Sequence, residues 1–191
     1  MQSAEPGGRQ PAPEPLRLVQ RFVNSNDREG GYDALATPAA AARWFREAGL
    51  TVSRLDGADV ERAVVLREAL RALLAANNGH AIEKQAIRRL NAAAARTTVG
   101  FSFGEATATL VPKGTGIERV LSHVIAAVFG AMADGTWPRL KACRRDVCRW
   151  AFYDHSKNRS GAWCTMDICG NRVKTRAYRR RTHGQRASRG G

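Results

Sequence analysis

Long apolar runs are missing from this 191-residue sequence, and none approaches the ~18 residues that a membrane-spanning helix requires. The first fifteen residues, MQSAEPGGRQPAPEP, also lack the apolar segment of a signal peptide. Cysteine is scarce, with four residues in the whole chain. Because disulfide bonds are typical of secreted proteins, we expect a cytoplasmic chain with reduced thiols and no membrane partner.

Acidic residues are outnumbered, 17 against 31 Lys plus Arg, which gives a formal net charge of +14. The imbalance is local: residues 141–191 hold 14 basic and 3 acidic residues, whereas residues 1–140 hold 17 and 14. Clustered positive charge favours a polyanionic partner, because binding to nucleic acid releases condensed counterions. The last fifty residues are therefore the predicted nucleic-acid-binding part. A merely soluble basic tail, ribosomal RNA and an anionic protein surface remain alternatives.

The four cysteines form two pairs of equal spacing, Cys143-x4-Cys148 and Cys164-x4-Cys169, separated by 15 residues. Four thiolates complete the tetrahedral coordination that zinc prefers, and each close pair supplies two of them from one tight loop. Buried free thiols would not be expected to fall into two equal pairs. Since four thiolates leave no open coordination position, the sequence predicts one structural zinc ion that takes no part in catalysis.

A basic helix is predicted directly after the last cysteine. Gly170 allows a tight turn, Asn171 is a candidate N-cap, and Val173 and Ala177 lie one helical turn apart. We expect the basic side chains around that small apolar face to contact the polyanion, mostly at phosphates: Arg172, Lys174, Arg176, Arg179, Arg180 and Arg181. Asn171 and Arg176 are candidates for reading bases.

The C-terminal region resembles the CGNR zinc finger, a family named for the residues that stand here at 169–172. The resemblance rests on residues 163–172, on the upstream pair Cys143-x4-Cys148, and on residues 152–156 between the two pairs. Related fingers often carry a basic pair just before the tryptophan. This chain has Gly161 and Ala162 there, so a contact supplied by that pair would be missing or moved.

The rest of the chain, including residues 66–71 and Leu90-Asn91, resembles the ABATE-type domain that usually precedes such fingers in bacterial proteins. That family is described as a putative stress-induced transcription regulator, so the resemblance implies transcription regulation and DNA binding. We expect a disordered tail over 1–14, the ABATE-like domain over 15–136, the finger with its basic helix over 137–182, and a disordered basic tail over 183–191. The short link around residues 135–138 predicts a docked finger.

Apolar spacing predicts a mainly α protein with a small β-hairpin, an α+β fold. Helices are expected over 37–48, 56–77, 81–95 and 116–133, with the hairpin over 98–111. The helix over 56–77 should expose Arg67, Glu68 and Arg71, and the next should bury Ile82 and Ile87.

Outside the cysteines, candidate chemistry is sparse. His80 lies in a turn and His123 on a helix, and both are expected to be structural. Asp154-His155 with Asn158 beside a four-cysteine zinc resembles a zinc-stabilised nuclease, but further histidine ligands for a catalytic ion are missing from the sequence nearby. We therefore expect a protein that is not an enzyme.

Three functions stay open at this point. The first is a DNA-binding transcription regulator, associated with the nucleoid when bound, whose front domain dimerises or senses a small-molecule effector. The second is a structural zinc module for protein or RNA interaction without sequence-specific DNA binding. The third and most remote is a metal-dependent nuclease. The first is the one that the sequence favours.

Overall fold

The computed structural model describes residues 8–172. The described elements are α1 (Leu16–Val23), β1 (Asn26–Asp27), β2 (Tyr32–Asp33), α2 (Pro38–Glu47), α3 (Gly57–Ala76), α4 (Lys84–Ala94), β3 (Thr98–Phe103), β4 (Ala108–Lys113), α5 (Gly116–Ala133), β5 (Leu140–Ala142) and β6 (Ala151–Tyr153). A 3-10 turn, Trp137–Arg139, leads into β5, and a π-helical turn, Met166–Gly170, holds the last cysteine. The strands pair antiparallel as β1–β2, β3–β4 and β5–β6. The predicted mainly α fold with a β-hairpin is confirmed.

The long helices begin at capping residues that the sequence already displays. Thr37 accepts a hydrogen bond from the backbone N–H of Ala40, and Pro38 follows as the first helical residue. At the start of α3, Asp56 and Asp59 form a reciprocal capping box. These local contacts explain why both helices start within a residue or two of the predicted positions.

One apolar core joins the front domain to the finger. Alternate residues of β5 and β6, among them Leu140 and Tyr153, are buried in the same cluster as α1, α3 and α5. Because successive strand residues face opposite sides, Phe152 lies on the other face and packs in a second cluster around the cysteines. The β5–β6 ribbon is therefore a shared wall between the main core and the metal centre.

The basic residues of α3 correct the prediction from helical spacing. Arg67 and Arg71 are 1 % and 3 % exposed, although their spacing is that of a solvent face. Arg67 donates from Nη1 and Nη2 to the two carboxylate oxygens of Asp33 at 2.7 and 2.8 Å. Arg71 donates to the carbonyls of Val23 and Arg149 at 2.7 and 3.1 Å. Both arginines hold the loops around them in place through buried polar contacts.

Two apolar side chains predicted to face inward from the helix after α3 lie in solvent instead. Ile82 is 63 % exposed because α4 begins only at Lys84, and Ile87 is 40 % exposed. Ala86 is the buried residue of α4. Leu90 and Ala93 also pack against the main core, so the predicted inward position of Leu90 is correct and those of Ile82 and Ile87 are wrong.

Residues 9–12, which the sequence assigned to a disordered tail, lie against the finger. Ala12 is buried, and its N–H donates to Gln20 Oε1 at 2.7 Å. The Arg9 guanidinium sits 4.7 Å from the ring centroid of Phe152 and donates to the Trp163 carbonyl at 3.0 Å. This segment therefore forms part of the packing around the second cluster.

Helix α5 is long and apolar enough to cross a membrane by length and composition alone, although its sequence is not a continuous apolar run. Its residues Ile117, Val120, Val124 and Val128 are buried in the main core. Core helices of soluble proteins commonly meet the same criterion, so its burial here accounts for its apolar character.

Candidate metal centre and finger surface

The four cysteine side chains converge on one point. All four Sγ atoms lie within 4.8 Å of one another, and all four residues are buried. The Sγ atoms of Cys148 and Cys164 are 3.6 Å apart, and those of Cys164 and Cys169 are 3.5 Å apart. A tetrahedron with Zn–S bonds of about 2.3 Å has S–S edges of about 3.8 Å. The cluster therefore fits one zinc ion with four sulfur ligands.

Without a cation, the four buried thiols do not all ionise together. Hydrogen bonds from Cys148 and Cys164 lower the pKa of Cys143 to about 2. The same bond to the Cys143 thiolate raises the pKa of Cys148 to about 12, and hydrogen bonds to Cys143 and Cys148 raise the pKa of Cys164 far above its usual value. Four buried thiolates repel one another, and a divalent cation supplies the charge that lets them ionise together.

The first pair of cysteines is presented by the turn between β5 and β6. Ala142 pairs with Ala151, and the N–H of Cys143 donates to the Trp150 carbonyl at 2.9 Å. Two more N–H groups, those of Cys148 and Arg149, donate to the Arg145 carbonyl at 2.9 and 3.0 Å. The backbone thus closes a loop that holds both sulfur atoms inside.

The second pair is presented by a short helical turn whose N-cap is Thr165. Its hydroxyl accepts from the N–H of Ile168 at 3.2 Å, so the turn begins six residues before the predicted start. Asn171 is helical, with φ −68° and ψ −38°, and is not the N-cap that the sequence indicated. Gly170 leaves room for Met166 and Trp163, since a Cβ there would lie 2.6 Å from Met166 Sδ and 3.3 Å from Trp163 Cδ1.

An acidic residue of the β1–β2 turn binds the finger. Glu29 accepts from Arg145 at 2.5 and 2.7 Å and from Arg172 Nη1 at 2.6 Å. Arg145 also lies 3.5 Å from Cys169 Sγ through Nη1. The hydrogen bond from Arg145 is the main cause that lowers the pKa of Glu29, and the positive charges of Arg145 and Arg172 lower it further. One predicted nucleic-acid contact, Arg172, is therefore paired with the front domain.

A buried ion pair organises the polar loop between the cysteine pairs, and the sequence did not reveal it. Lys141 Nζ donates to Asp154 Oδ2 at 2.8 Å, with side chains 6 % and 1 % exposed. Burial alone would raise the pKa of Asp154, but hydrogen bonds from Lys141, Ser156 and Gly161 lower it to about 2. Alternation along β5 would place Lys141 on the face opposite Leu140 and Ala142, but all three residues are buried, so the sequence carries no local signal for the pair.

The same carboxylate lies against Gly161, the first of the two positions before Trp163 where related fingers often carry a basic pair. A Cβ at Gly161 would lie 2.9 Å from all three carboxyl atoms of Asp154. The next residue, Ala162, uses its carbonyl to accept from the N–H of Arg144 at 3.1 Å. Residue 161 therefore has no room for an arginine or lysine unless Asp154 moves.

The residues considered for nuclease chemistry make structural contacts. Asp154 uses both oxygens as acceptors inside its own loop. His155 packs edge-on against Tyr153 at 4.7 Å, and its Nε2 lies 3.1 Å from the Pro11 carbonyl. This arrangement offers the nuclease hypothesis no support.

Three asparagines connect the front domain to the finger backbone. Asn24 donates to the Ala151 carbonyl at 2.9 Å and accepts from the Ala151 N–H at 2.7 Å, as a neighbouring strand would. Asn78 Nδ2 donates to the carbonyls of Ala142 and Ala162 at 2.8 and 2.9 Å, and Asn77 donates to two carbonyls of the link. The finger is docked through satisfied backbone groups as well as apolar contact.

Of the predicted nucleic-acid contacts, the structure describes Asn171 and Arg172 at the end of the finger. The others lie outside the described residues, as does the predicted basic helix that carries them: Lys174, Arg176, Arg179, Arg180 and Arg181. Their role stays a prediction.

A helical domain that shares its core with a four-cysteine knuckle defines a zinc-finger protein. Residues 139–182 match the CGNR zinc finger, and residues 16–140 match ABATE, described as "Putative stress-induced transcription regulator". The second match covers more than half of the chain, so this protein belongs to the ABATE family and carries a C-terminal CGNR zinc finger. Both resemblances seen in the sequence are confirmed. Among curated proteins, none matches the chain.

Proposed function

We propose that this chain is a cytoplasmic, zinc-dependent, DNA-binding transcription regulator and not an enzyme. The observation that carries the proposal is the charge that follows the zinc-held turn. From residue 168 to residue 191 the sequence has eight Lys and Arg and no Asp or Glu. A basic segment that contains no acidic residue of its own and is anchored to a metal site is suited to phosphate contacts.

The ion pairs of the finger support this assignment, because they identify the cations that already have an acidic partner within the protein. Lys141 is paired with Asp154, and Arg145 is paired with Glu29. These cations stabilise the fold, so the segment after Asp167 carries most of the charge available to a polyanion. Arg172 would have to exchange Glu29 for a phosphate on binding.

Selection from a random duplex library near physiological salt tests the proposal, with zinc-loaded protein and the Cys164→Ser variant in parallel. We expect a motif to be enriched by the zinc-loaded protein and not by the variant. The paired half-sites typical of two-fold regulators would indicate the predicted homodimer. Equal, weak and motif-free retention by both proteins would overturn the proposal.

A structural zinc module is the second candidate, and the β5–β6 ribbon favours it. The ribbon supplies buried residues to the main core, so zinc would stabilise the whole chain whatever the finger contacts. This candidate predicts zinc binding with weak, unselective affinity for DNA, which the same library distinguishes from a regulator.

A further inference from the structure

A cleft of about 450 Å³ lies where α3, the α3–α4 loop and the first zinc knuckle meet. Its volume is within the range of small-molecule sites, roughly 300–1,000 Å³. Four of its lining residues are basic and two are acidic: Arg28, Arg71, Arg89 and Arg149 against Glu68 and Glu83. Its lining therefore carries more positive than negative charge.

Part of the positive charge that lines the cleft has no carboxylate partner. Glu68 is already ion-paired, because its two oxygens accept from Arg67 Nε and Arg71 Nε at 2.9 Å each. Within residues 8–172, neither Arg28 nor Arg89 forms an ion pair, and both are exposed. Burial and the nearby positive charges of Arg67 and Arg28 lower the pKa of Arg71. Glu83 is then the one lining carboxylate left to offset two exposed guanidiniums.

Arg149 supplies an independent observation. It follows Cys148 in the knuckle and has a φ of 50°, a conformation in which glycine is the default residue. This left-handed conformation is disfavoured for arginine. Its Nη1 is buried and has no hydrogen-bond partner in the described part of the chain, while Nη2 lies 3.4 Å from His80 Nδ1 and 2.5 Å from Asp146 Oδ1.

We propose that this cleft binds a small molecule through a phosphate group held by Arg28, Arg89 and Arg149. Guanidinium groups bind phosphate through paired, charge-assisted hydrogen bonds. Arg28 and Arg89 have no ion-pair partner in the described residues, and Arg149 would exchange the 82 % exposed carboxylate of Asp146 for the phosphate. A phosphate ester offers three terminal oxygens to these groups, whereas a carboxylate offers two. The proposal does not depend on DNA binding, because the site is built from residues outside the basic tail.

A ligand bound in the cleft would affect the conformation of the first zinc knuckle. The Arg149 carbonyl accepts from Arg71 Nη1 at 3.1 Å, and Arg149 is bonded directly to the ligand Cys148. A phosphate bound to Arg149 would therefore hold the first knuckle in its present conformation.

Calorimetric titration of the zinc-loaded full chain with inorganic phosphate and with glycerol 3-phosphate, at constant ionic strength, tests this site. We expect saturable binding near one per chain, weakened at least tenfold in Arg28→Gln/Arg89→Gln. The matched control, Arg43→Gln/Arg88→Gln, removes the same charge from exposed positions that do not line the cleft and should stay within twofold of the parent. Arg149→Gly, which removes the side chain and relieves the backbone, should also weaken binding at least tenfold.

Three results would overturn the proposal. Equal weakening in the two double variants would mean that phosphate responds to total charge alone. Parent-like affinity in Arg149→Gly would remove the knuckle from the site. Succinate binding as tightly as phosphate, at the same ionic strength, would contradict the assignment to a phosphate ester.

Discussion

Asp154 is a carboxylate buried between the two cysteine pairs, and its charge is matched by Lys141. Removing one member of a buried ion pair leaves the other charge uncompensated, which typically costs about 3–5 kcal/mol. Lys141 also donates to the carbonyls of Arg159 and Gly161. These additional acceptors place our expectation at the lower end of that range.

We therefore expect Asp154→Asn to lower the free energy of unfolding by about 3 kcal/mol, measured by urea titration in excess zinc. Asp146→Asn is the matched control, because its carboxylate pairs with Arg149 but the Asp146 side chain is 82 % exposed. An exposed pair contributes roughly 0–1 kcal/mol. A similar small loss in both variants would show that the buried pair does not organise the loop.

A second prediction concerns Gly161, which lies against Asp154 in the same loop. A methyl group there would meet the Asp154 carboxyl at 2.9 Å, so we expect Gly161→Ala to destabilise the protein by about 1–3 kcal/mol. Gly130 lies inside α5 with nothing within 4 Å of its would-be Cβ. Gly130→Ala should then stabilise by up to about 1 kcal/mol, since alanine favours helix. Thermal unfolding of both variants checks the opposite signs, and a loss of equal size in both would contradict the steric argument.

At the scale of elements, the C-terminal end of α3 positions both halves of the metal site. Asn78, just beyond α3, bonds the carbonyls of Ala142 and Ala162. The first of these residues directly precedes Cys143, and the second lies two residues before Cys164. One side chain thus fixes the spacing between the two knuckles.

Asn78→Ala should destabilise the protein by about 2 kcal/mol, because it removes two buried hydrogen bonds. It should also speed the transfer of zinc to a colorimetric chelator, which is the more specific measurement. Asn91→Ala, on the exposed surface of α4, is the control and should leave the transfer rate unchanged. Equal transfer rates in the two variants would mean that α3 does not hold the knuckles together.

At the scale of the whole molecule, the metal and the helical domain should unfold as one unit. The β5–β6 ribbon belongs to the main core and also carries Cys143, so loss of zinc withdraws buried apolar surface from α1, α3 and α5. A finger on a flexible tether would leave those helices unaffected.

We expect a zinc chelator in excess to lower the thermal midpoint of the helical circular dichroism signal by at least about 10 °C, because each kcal/mol shifts the midpoint by roughly 2–4 °C in a chain of this size. A single transition should be seen with and without metal. An unchanged helical midpoint in the chelator would identify the finger as an independent module.

The salt dependence of DNA binding tests the basic segment as a whole. Removing one side chain that binds a phosphate should flatten the slope of log affinity against log salt by about 0.9. Replacing Arg179, Arg180 and Arg181 by Gln should therefore flatten it by about 2.7, as measured by fluorescence anisotropy. Arg43→Gln/Arg46→Gln/Arg88→Gln removes equal charge from α2 and α4 and should leave the slope unchanged. An unaltered slope in the first triple variant would exclude those three arginines.

The zinc site and the fold class follow from the amino-acid sequence alone. Equal spacing within the two cysteine pairs indicates a tetrahedral site without any knowledge of the fold, because each knuckle is local. The same holds for α2 and α3, whose caps and apolar periodicity lie within the elements they define. The resemblance to the CGNR finger rests on such local residues too.

Which charged side chains are buried and which are exposed follows from the folded structure, not from the local sequence. Arg67 and Arg71 follow a spacing typical of a solvent face, yet their acceptors come from β2, from the end of α1 and from the knuckle. Glu29 reaches Arg145 across 116 positions of the chain. A charged side chain is buried or exposed according to whether a partner is near in space. Helical periodicity carries no information about that partner, so the burial of these arginines and the arginine-lined cleft are evident only in the folded chain.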